Sequence, residues 1–187
     1  MIKIGITGSI CSGKTTSSKL LSHKNGPLFS ADRIVRKLYK KKSFKKLVAK
    51  KLNIKLSSKF NTELKNRILI KNDDLSKLER IIHPLVRREM FNFLNANKNK
   101  KMLFFEIPLL IESKLSKYFD KLIFIKSSKN LRLKRYKLNG GNVKLFYLLD
   151  SRQIKDTKKM NHCDYIIVNN KSLSILKKNL LNIIKKL

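Results

Sequence analysis

Eight residues near the start of the chain, Gly8–Thr15, have the spacing GxxxxGK[ST] and residue types suited to holding phosphate. A glycine-containing loop presents backbone N–H groups to phosphate oxygens, and the ammonium group of Lys14 can reach the outer phosphates. The hydroxyl of Thr15 can act as a ligand of Mg²⁺. The segment therefore predicts nucleotide chemistry that depends on Mg²⁺.

The residues on both sides of this loop match the structural setting that the pattern requires. Apolar Ile2, Ile4 and Ile6 alternate before it, and a helix-compatible stretch follows it. A helix beginning at the loop adds the positive end of its dipole to the phosphate site. The residues expected to bind ATP are Gly8, Cys11, Ser12, Gly13, Lys14, Thr15 and Thr16.

Two carboxylates lie at the carboxyl ends of predicted strands. In a parallel sheet this is the edge where ligands bind. Phosphoryl transfer needs a group that orients or deprotonates the nucleophile, and Asp32, directly after the second predicted strand, is a candidate. The alternative is that Asp32 caps a helix beginning near Arg33. Glu106 ends the third predicted strand and could hold Mg²⁺ through water, or could cap the next helix or pair with a lysine.

Arginine and histidine supply the remaining candidates. Arg135, and with weaker support Arg132 and Arg152, could stabilise charge that develops on a transferred phosphate. In a chain this basic, the alternative for each arginine is a solvated surface position. His83 precedes a proline and either faces a ligand crevice or has a structural role.

Short apolar runs separated by helical patterns predict an α/β fold with a five-stranded parallel sheet covered by helices on both faces. The predicted strands are Ile2–Thr7, Pro27–Ser30, Met102–Ile107, Lys121–Ile125 and Tyr165–Val168. The first helix is expected over Gly13–His23, and the chain from residue 173 to residue 187 is expected to pack one apolar stripe on the sheet.

A long connection, residues 31–101, shows helical patterns and no strand, which predicts an inserted helical lobe. Its strongest helix is expected over Asp74–Asn95, with a kink or break at His83 because Pro84 follows. Residues 130–156 form a charged helical hairpin pattern that is divided at Asn139–Asn142, an arrangement typical of a flap over the loop.

Composition narrows the class of protein but does not choose a partner. The 45 basic and 12 acidic residues give a net charge of +33, which would attract polyanions, yet lysine is spread along the whole chain and indicates compositional bias. The two cysteines, Cys11 and Cys163, show neither disulfide nor zinc spacing. Without a span of about 20 apolar residues or a signal-peptide pattern, we expect one cytoplasmic domain with no membrane partner.

Five segments, in order and spacing, resemble the signatures of the dephospho-CoA kinase family. Ile4–Thr16 is similar to the family's TGGIGSGKST loop, and Ser30–Arg36 to its DADxxAR segment. The other similarities are Ile82–Arg87 to HPxxR, Ile107–Glu112 to PLLxE, and Gln153, Lys159 and Asp164–Asn169 to a closing Q…K…ADxxIxN pattern. The resemblance covers nearly the whole chain, and HP and PLLxE distinguish this family from other small-molecule kinases.

The resemblance implies a phosphate-loop kinase fold related to nucleotide monophosphate kinases, with Mg²⁺ and ATP used to phosphorylate the ribose 3′-hydroxyl of dephospho-CoA. Asp32 would be the catalytic carboxylate, and Lys14 and Arg135 would neutralise the phosphates. The expected acceptor-binding residues are Asp32, Arg36, His83, Arg87, Pro108 and Leu109. One kinase domain would comprise a core (about 1–30, 102–130 and 157–187), an acceptor-binding lobe (about 31–101) and a lid (about 131–156).

Four positions depart from the family pattern. Ser9 and Cys11 replace loop glycines, so a positive φ at position 11 would add backbone strain. Ser30 removes one carboxylate from the DAD segment, and Asn139 stands where the lid usually has a second arginine. These changes predict a slower enzyme with charge stabilisation left to Arg135.

Two other functions remain open from the sequence. A nucleoside or nucleotide kinase of the same architecture would differ only in its acceptor. A basic nucleic-acid-binding protein that uses the loop for regulation would belong to another class, but its aromatic residues would have to alternate with basic ones, and here they do not. We therefore expect small-molecule substrates and no specific nucleic-acid partner.

Overall fold

The computed structural model describes the backbone of residues 1–187 and all side chains except that of Asn72. The chain divides into two compact units. The sheet unit comprises Met1–Ser30 and Ala96–Leu187, and the helical unit comprises Ala31–Asn95.

The sheet unit is built on a parallel sheet in the strand order β2-β3-β1-β4-β5. The strands are β1 (Ile2–Gly8), β2 (Leu28–Ser30), β3 (Met102–Glu106), β4 (Lys121–Lys126) and β5 (Tyr165–Val168). Every strand lies within one residue of its predicted bounds, and the predicted parallel α/β fold is confirmed.

The helices are α1 (Lys14–Ser22), α2 (Ala31–Lys40), α3 (Lys42–Leu52), α4 (Phe60–Ile70), α5 (Asn72–Ala96), α6 (Lys129–Leu138), α7 (Val143–Ser151), α8 (Asp156–Met160) and α9 (Leu173–Ile184). The predicted first helix and the predicted hairpin are confirmed as α1 and as α6 with α7. Within the described part of the chain, no helix has the length and apolar character needed to cross a membrane.

The core of the sheet unit explains why these segments fold together. β-branched and aromatic residues of the central strands are fully buried, as expected for strands covered on both faces. The predicted apolar stripe of α9 packs against them through Leu176, Leu180 and Ile183. Each such side chain contributes about 2 kcal/mol when removed from water, so this contact fixes α9 on the sheet.

Parallel pairing brings the carboxyl ends of all the strands to one edge of the sheet. β1 lies between β3 and β4, so the loop that follows Gly8 is flanked by the ends of both neighbours. In the register, Ile6 is opposite Glu106, and Ser30 is opposite Glu106 on the other side of β3. The edge thus positions Glu106 beside the loop that the sequence assigns to phosphate.

The helical unit has its own apolar core. α2 packs on α3, where the ring of Tyr39 lies 5.2 Å from that of Phe44. Other residues of this unit that are buried are Val48, Leu52, Phe60, Leu64, Leu75, Leu78 and Met90. Because the helical unit encloses its own apolar core, it forms a folded lobe. This agrees with the helical patterns in the sequence of the long connection.

The sequence predicts a kink or a break at His83; the break is wrong, because α5 continues through Pro84, and the kink stays a prediction. Proline removes one backbone donor and crowds the preceding turn. The turns on both sides of Pro84 keep their helical bonds and bury Leu78 and Met90, which holds the helix together across the missing bond. The sequence also predicts capping of this helix by Asn72, Asp73 and Asp74; Asp73 and Asp74 lie in its first turn, and the side chain of Asn72 lies outside the described residues.

A buried carboxylate joins α4 to α5. Asp74 is 1% exposed and accepts a hydrogen bond of 2.6 Å from Nε of Arg67, while Nζ of Lys77 lies 3.4 Å away. The hydrogen bond from Arg67 lowers the pKa of Asp74, although burial acts in the opposite direction. The ionised form of Asp74 is therefore the form that stabilises the contact between α4 and α5.

We expect Asp74→Asn to lower the free energy of unfolding at pH 7 by roughly 1–3 kcal/mol, because a hydrogen bond to a charged group is lost. The folded-state pKa lies below the ordinary value of 3.8, so this stabilisation is present above that pH and disappears as the pH falls through the folded value. Urea unfolding of both proteins at pH 7 and near the lowest pH that retains the fold measures the difference.

Lys77→Met is the matched control, because it removes the more exposed partner and should change stability by less than about 1 kcal/mol. A loss in Asp74→Asn that is equal at both pH values would show that packing, and not charge, is responsible.

Candidate active site

The phosphate loop is shaped by backbone angles that few residues adopt. φ is +149° at Gly8, +55° at Cys11 and +97° at Gly13. The strain expected at Cys11 is confirmed, since a left-handed conformation costs a non-glycine residue about 1 kcal/mol. At Gly8, a Cβ atom would lie 2.4 Å from the carbonyl oxygen of Ile125, so the loop can leave β1 here only as glycine.

The structure brings Lys14 and Thr15 to the carboxyl edge of the sheet, as predicted. Nζ of Lys14 donates a hydrogen bond of 2.8 Å to the carbonyl of Ser9, across the loop. The Thr15 hydroxyl donates to Oε1 of Glu106 at 2.5 Å. Glu106 is 1% exposed, and its other oxygen, Oε2, has no hydrogen-bond partner among the described residues.

Arg135 lies against the same loop. Its NH1 group is 3.4 Å from the Ser12 carbonyl and 3.1 Å from Oγ of Ser127, and NH2 donates to the Asn169 carbonyl at 3.0 Å. These contacts hold the guanidinium beside the phosphate loop. The weaker candidate Arg132 is 5% exposed and forms an ion pair of 2.6 Å with Asp150.

Asn169 contacts the loop directly, although the sequence analysis did not assign it to the site. Its Nδ2 group donates to the Ser12 carbonyl at 2.8 Å, and a Cβ atom on Gly13 would lie 2.1 Å from Nδ2. Two signals were available: Asn169 ends the segment that resembles the family's closing ADxxIxN pattern, and it directly follows β5, so it stands at the same edge as the loop.

A second group of contacts holds the other end of the loop. The backbone N–H of Ile10 donates to Oε1 of Gln153 at 3.2 Å, and the Ser9 hydroxyl donates to Asp156. NH1 of Arg132 lies 3.4 Å from the carbonyl of Ile10. The loop is thus attached to α6 and to the segment before α8, which the sequence analysis did not predict.

The electrostatic environment of the loop is positive. Burial raises the pKa of the Cys11 thiol, while the charges of Lys14, Arg132 and Arg135 act in the opposite direction. The net shift is upward, so Cys11 is a neutral thiol at pH 7. The three positively charged side chains near Cys11 create the positive field that an anionic ligand requires.

The acceptor candidates are divided between the two units. In the sheet unit, Pro108 and Leu109 form the turn after β3, where the Thr7 hydroxyl donates to the Pro108 carbonyl at 3.0 Å. In the helical unit, His83 and the exposed Arg87 are four residues apart on one face of α5.

Asp32 and Arg36 are exposed on α2. Nε of Arg36 is 3.4 Å from the Asp32 carbonyl. α2 begins at Ala31, before Asp32, so the alternative that Asp32 caps a helix beginning near Arg33 is wrong. Asp32 lies instead in the first turn, where a carboxylate still interacts favourably with the helix dipole.

Comparison with known proteins gives one consistent family. A family model described as dephospho-CoA kinase matches residues 2–174. A dephospho-CoA kinase of Bartonella henselae is 33% identical over 189 residues, which are 98% of this chain and 97% of the relative. A dephospho-CoA kinase of Rickettsia typhi is 33% identical over 190 residues, covering 100% and 98% of the two chains.

Solved structures support the fold. A protein from Thermus thermophilus has a TM-score of 0.79 at 23% identity, with 100% of this chain and 97% of that chain covered. A dephospho-CoA kinase from Campylobacter jejuni gives a TM-score of 0.67 at 24% identity, covering 98% and 96%. A shikimate kinase from Acinetobacter baumannii gives 0.59 at 16% identity, covering 100% and 94%.

We expect Gly13→Ala to weaken ADP binding by at least about tenfold with little change in melting temperature. The new Cβ would overlap the amide of Asn169, so the loop would have to move, and a loop amide that loses its phosphate contact costs about that much affinity. Calorimetric titration with ADP measures the effect.

Gly140→Ala is the matched control, because Gly140 also has a positive φ, +71°, but a Cβ there meets nothing within 4 Å. It adds the same kind of backbone strain without touching the loop. Equal ADP affinity in Gly13→Ala and Gly140→Ala would contradict a requirement for the close approach at Gly13.

Proposed function

The chain belongs to the dephospho-CoA kinase family, and we propose that it transfers the γ-phosphoryl group of ATP to the ribose 3′-hydroxyl of dephospho-CoA, forming CoA and ADP. The observation that carries this proposal is the phosphate loop at the sheet edge, with Lys14, Thr15, Glu106 and Arg135 gathered around it. Family membership then identifies the acceptor.

The donor half of the reaction uses the loop itself. Backbone amides of the phosphate loop and of the first turn of α1 bind the phosphates of ATP, because the N-terminal amides of a helix have no partner inside it. Lys14 exchanges its bond to the Ser9 carbonyl for the outer phosphates, where the attraction is stronger because both groups are charged.

The residues at the sheet edge fit Mg²⁺. The Thr15 hydroxyl and the carboxylate of Glu106 lie 2.5 Å apart, and Oε2 of Glu106 is buried without a hydrogen-bond partner in the described structure. Mg²⁺ is usually held by one or two protein oxygens together with water and substrate phosphates. Thr15 would be a direct ligand and Glu106 would bind through water, and the ion would neutralise the β- and γ-phosphate charge.

Arg135 supplies a further positive charge beside the loop. Its guanidinium already contacts the Ser12 carbonyl at 3.4 Å, so a small rotation of the side chain exchanges this weak contact for a phosphate oxygen. The hairpin of α6 and α7 that carries Arg135 acts as the lid, corresponding to residues 131–156.

Asp32 is assigned the role of general base on the acceptor hydroxyl. It stands two residues after Ser30, the last residue of β2, and it is exposed. Because the family's first DAD carboxylate is replaced by Ser30, Asp32 accepts the proton without that neighbour. Arg36, His83 and Arg87 of the helical unit, with Pro108 and Leu109, bind dephospho-CoA.

The acceptor is tested with purified protein, ATP and Mg²⁺ offered separately to dephospho-CoA and to a panel of nucleosides and nucleoside monophosphates. We expect ADP release with dephospho-CoA, and a product that chromatographs as CoA. Turnover of the panel without turnover of dephospho-CoA would contradict the proposal and favour a nucleoside or nucleotide kinase.

Asp32→Asn should lower kcat by about 100-fold or more, because general base catalysis contributes about that factor. The KM for ATP should change by less than about threefold, since Asp32 does not bind the donor. Initial rates at varied ATP and dephospho-CoA separate the two parameters.

Asp73→Asn is the control, because Asp73 is another exposed carboxylate in the first turn of a helix of the same unit. It should retain the kcat of the unmodified protein. An unchanged kcat in Asp32→Asn would mean that Asp32 serves only the helix dipole.

A further inference from the structure

Asn169 is a buried polar residue whose side chain contacts the phosphate loop. It is 6% exposed. Its backbone N–H donates to the Lys126 carbonyl at 2.8 Å, which extends the β4–β5 pairing by one residue. The position of Asn169 is therefore fixed by the sheet and not by the loop that it contacts.

The side chain of Asn169 sets the direction of one peptide plane. Nδ2 donates to the carbonyl of Ser12 at 2.8 Å. In a trans peptide the carbonyl and the next N–H point in opposite directions, so a carbonyl held on one side turns the amide of Gly13 to the other side. That amide then faces the interior of the loop, where phosphate binds.

The contact depends on a glycine at the next position. Gly13 has a φ of +97°, and a Cβ atom there would stand 2.1 Å from Nδ2 of Asn169. The absence of a side chain at Gly13 is what allows the amide group to reach the Ser12 carbonyl. The conformation of Gly13 and the hydrogen bond from Asn169 to the Ser12 carbonyl therefore both hold the peptide between Ser12 and Gly13 in the same orientation.

The backbone of Asn169 extends this arrangement to the arginine of the site. Its carbonyl accepts hydrogen bonds from NH2 of Arg135 at 3.0 Å and from the Ser127 hydroxyl at 3.1 Å. One residue therefore places both the loop and Arg135 relative to the end of β5.

We propose that Asn169 is a positioning residue that orients the amide of Gly13 toward the diphosphate group of the bound nucleotide. This inference rests on the proposed function for the identity of the phosphoryl donor, ATP. It does not depend on which molecule accepts the phosphoryl group. The ligand that it concerns is any diphosphate that enters the loop, whether or not it carries a nucleoside.

The test compares three ligands in the complete protein and in Asn169→Ala. Inorganic pyrophosphate and ADP contain the diphosphate, and adenosine does not. We expect the affinity for pyrophosphate and for ADP to fall by about tenfold, the value of one lost hydrogen bond of this kind, while inhibition by adenosine stays the same. The KM for dephospho-CoA should change by less than twofold.

Asn170→Ala is the matched control. Asn170 is the adjacent residue of the same type, and its Oδ1 accepts hydrogen bonds from the Ser127 hydroxyl at 3.1 Å and the Ser128 N–H at 2.9 Å, without contact to the loop. This variant should retain its affinity for pyrophosphate even if its melting temperature falls. Asn169→Leu, which keeps the approximate shape without a donor, should behave like Asn169→Ala.

A third measurement needs no variant. In the unmodified protein, the amide proton of Gly13 should move downfield in an NMR spectrum when pyrophosphate binds, because it becomes a hydrogen-bond donor to phosphate. Three results would overturn the proposal: unchanged pyrophosphate affinity in a folded Asn169 variant, an equal loss for adenosine, or no shift of the Gly13 amide. None of these results depends on whether dephospho-CoA is the acceptor.

Discussion

A cradle of backbone amides binds phosphate only when its peptide planes are held in a fixed orientation, and in this chain groups outside the loop provide that orientation. The loop has few internal bonds of its own. Asn169 holds the Ser12 carbonyl at one end, and Gln153 and Arg132 hold Ile10 at the other. Because these residues follow β5, precede α8 and lie on α6, the completed sheet unit is a precondition for the site.

The scarcity of acidic residues makes their placement informative. The sheet unit contains six acidic residues, and each accepts a hydrogen bond from another segment: Glu106, Glu112, Asp120, Asp150, Asp156 and Asp164. Asp164, for example, accepts from the N–H of Leu122 at 2.8 Å and so fixes the start of β4. The carboxylates of the sheet unit therefore join segments of the chain, while the net charge of +33 comes from the excess of lysine and arginine.

The parts of the site that the sequence predicted are those governed by short-range patterns. A strand, a glycine loop and a helix in succession determine Lys14 and Thr15, and the edge rule for parallel strands places Glu106. Gln153 and Asn169 stand in the segment that resembles the family's closing pattern, but the groups that they contact are more than 140 residues away along the chain, so no local pattern gives their roles. The same limit explains the error at Pro84, where burial of the helix on both sides overrides a local tendency to break.

The two ends of the loop have different consequences for phosphate binding. At Ile10 the N–H donates to Gln153 and the carbonyl accepts from Arg132, so the N–H of Ile10 is not available to a ligand while the contact with Gln153 persists. At Ser12 the N–H donates to the Ser9 carbonyl at 3.1 Å and the carbonyl accepts from Asn169, which turns the following amide, that of Gly13, into the loop. The N–H groups of Ile10 and Ser12 are therefore engaged within the protein, and the amides from Gly13 onward lie next to the positive end of α1. The first part of the loop serves as the attachment to α6, the helix that carries Arg135, so a movement of that helix is transmitted to the phosphate loop through Ile10.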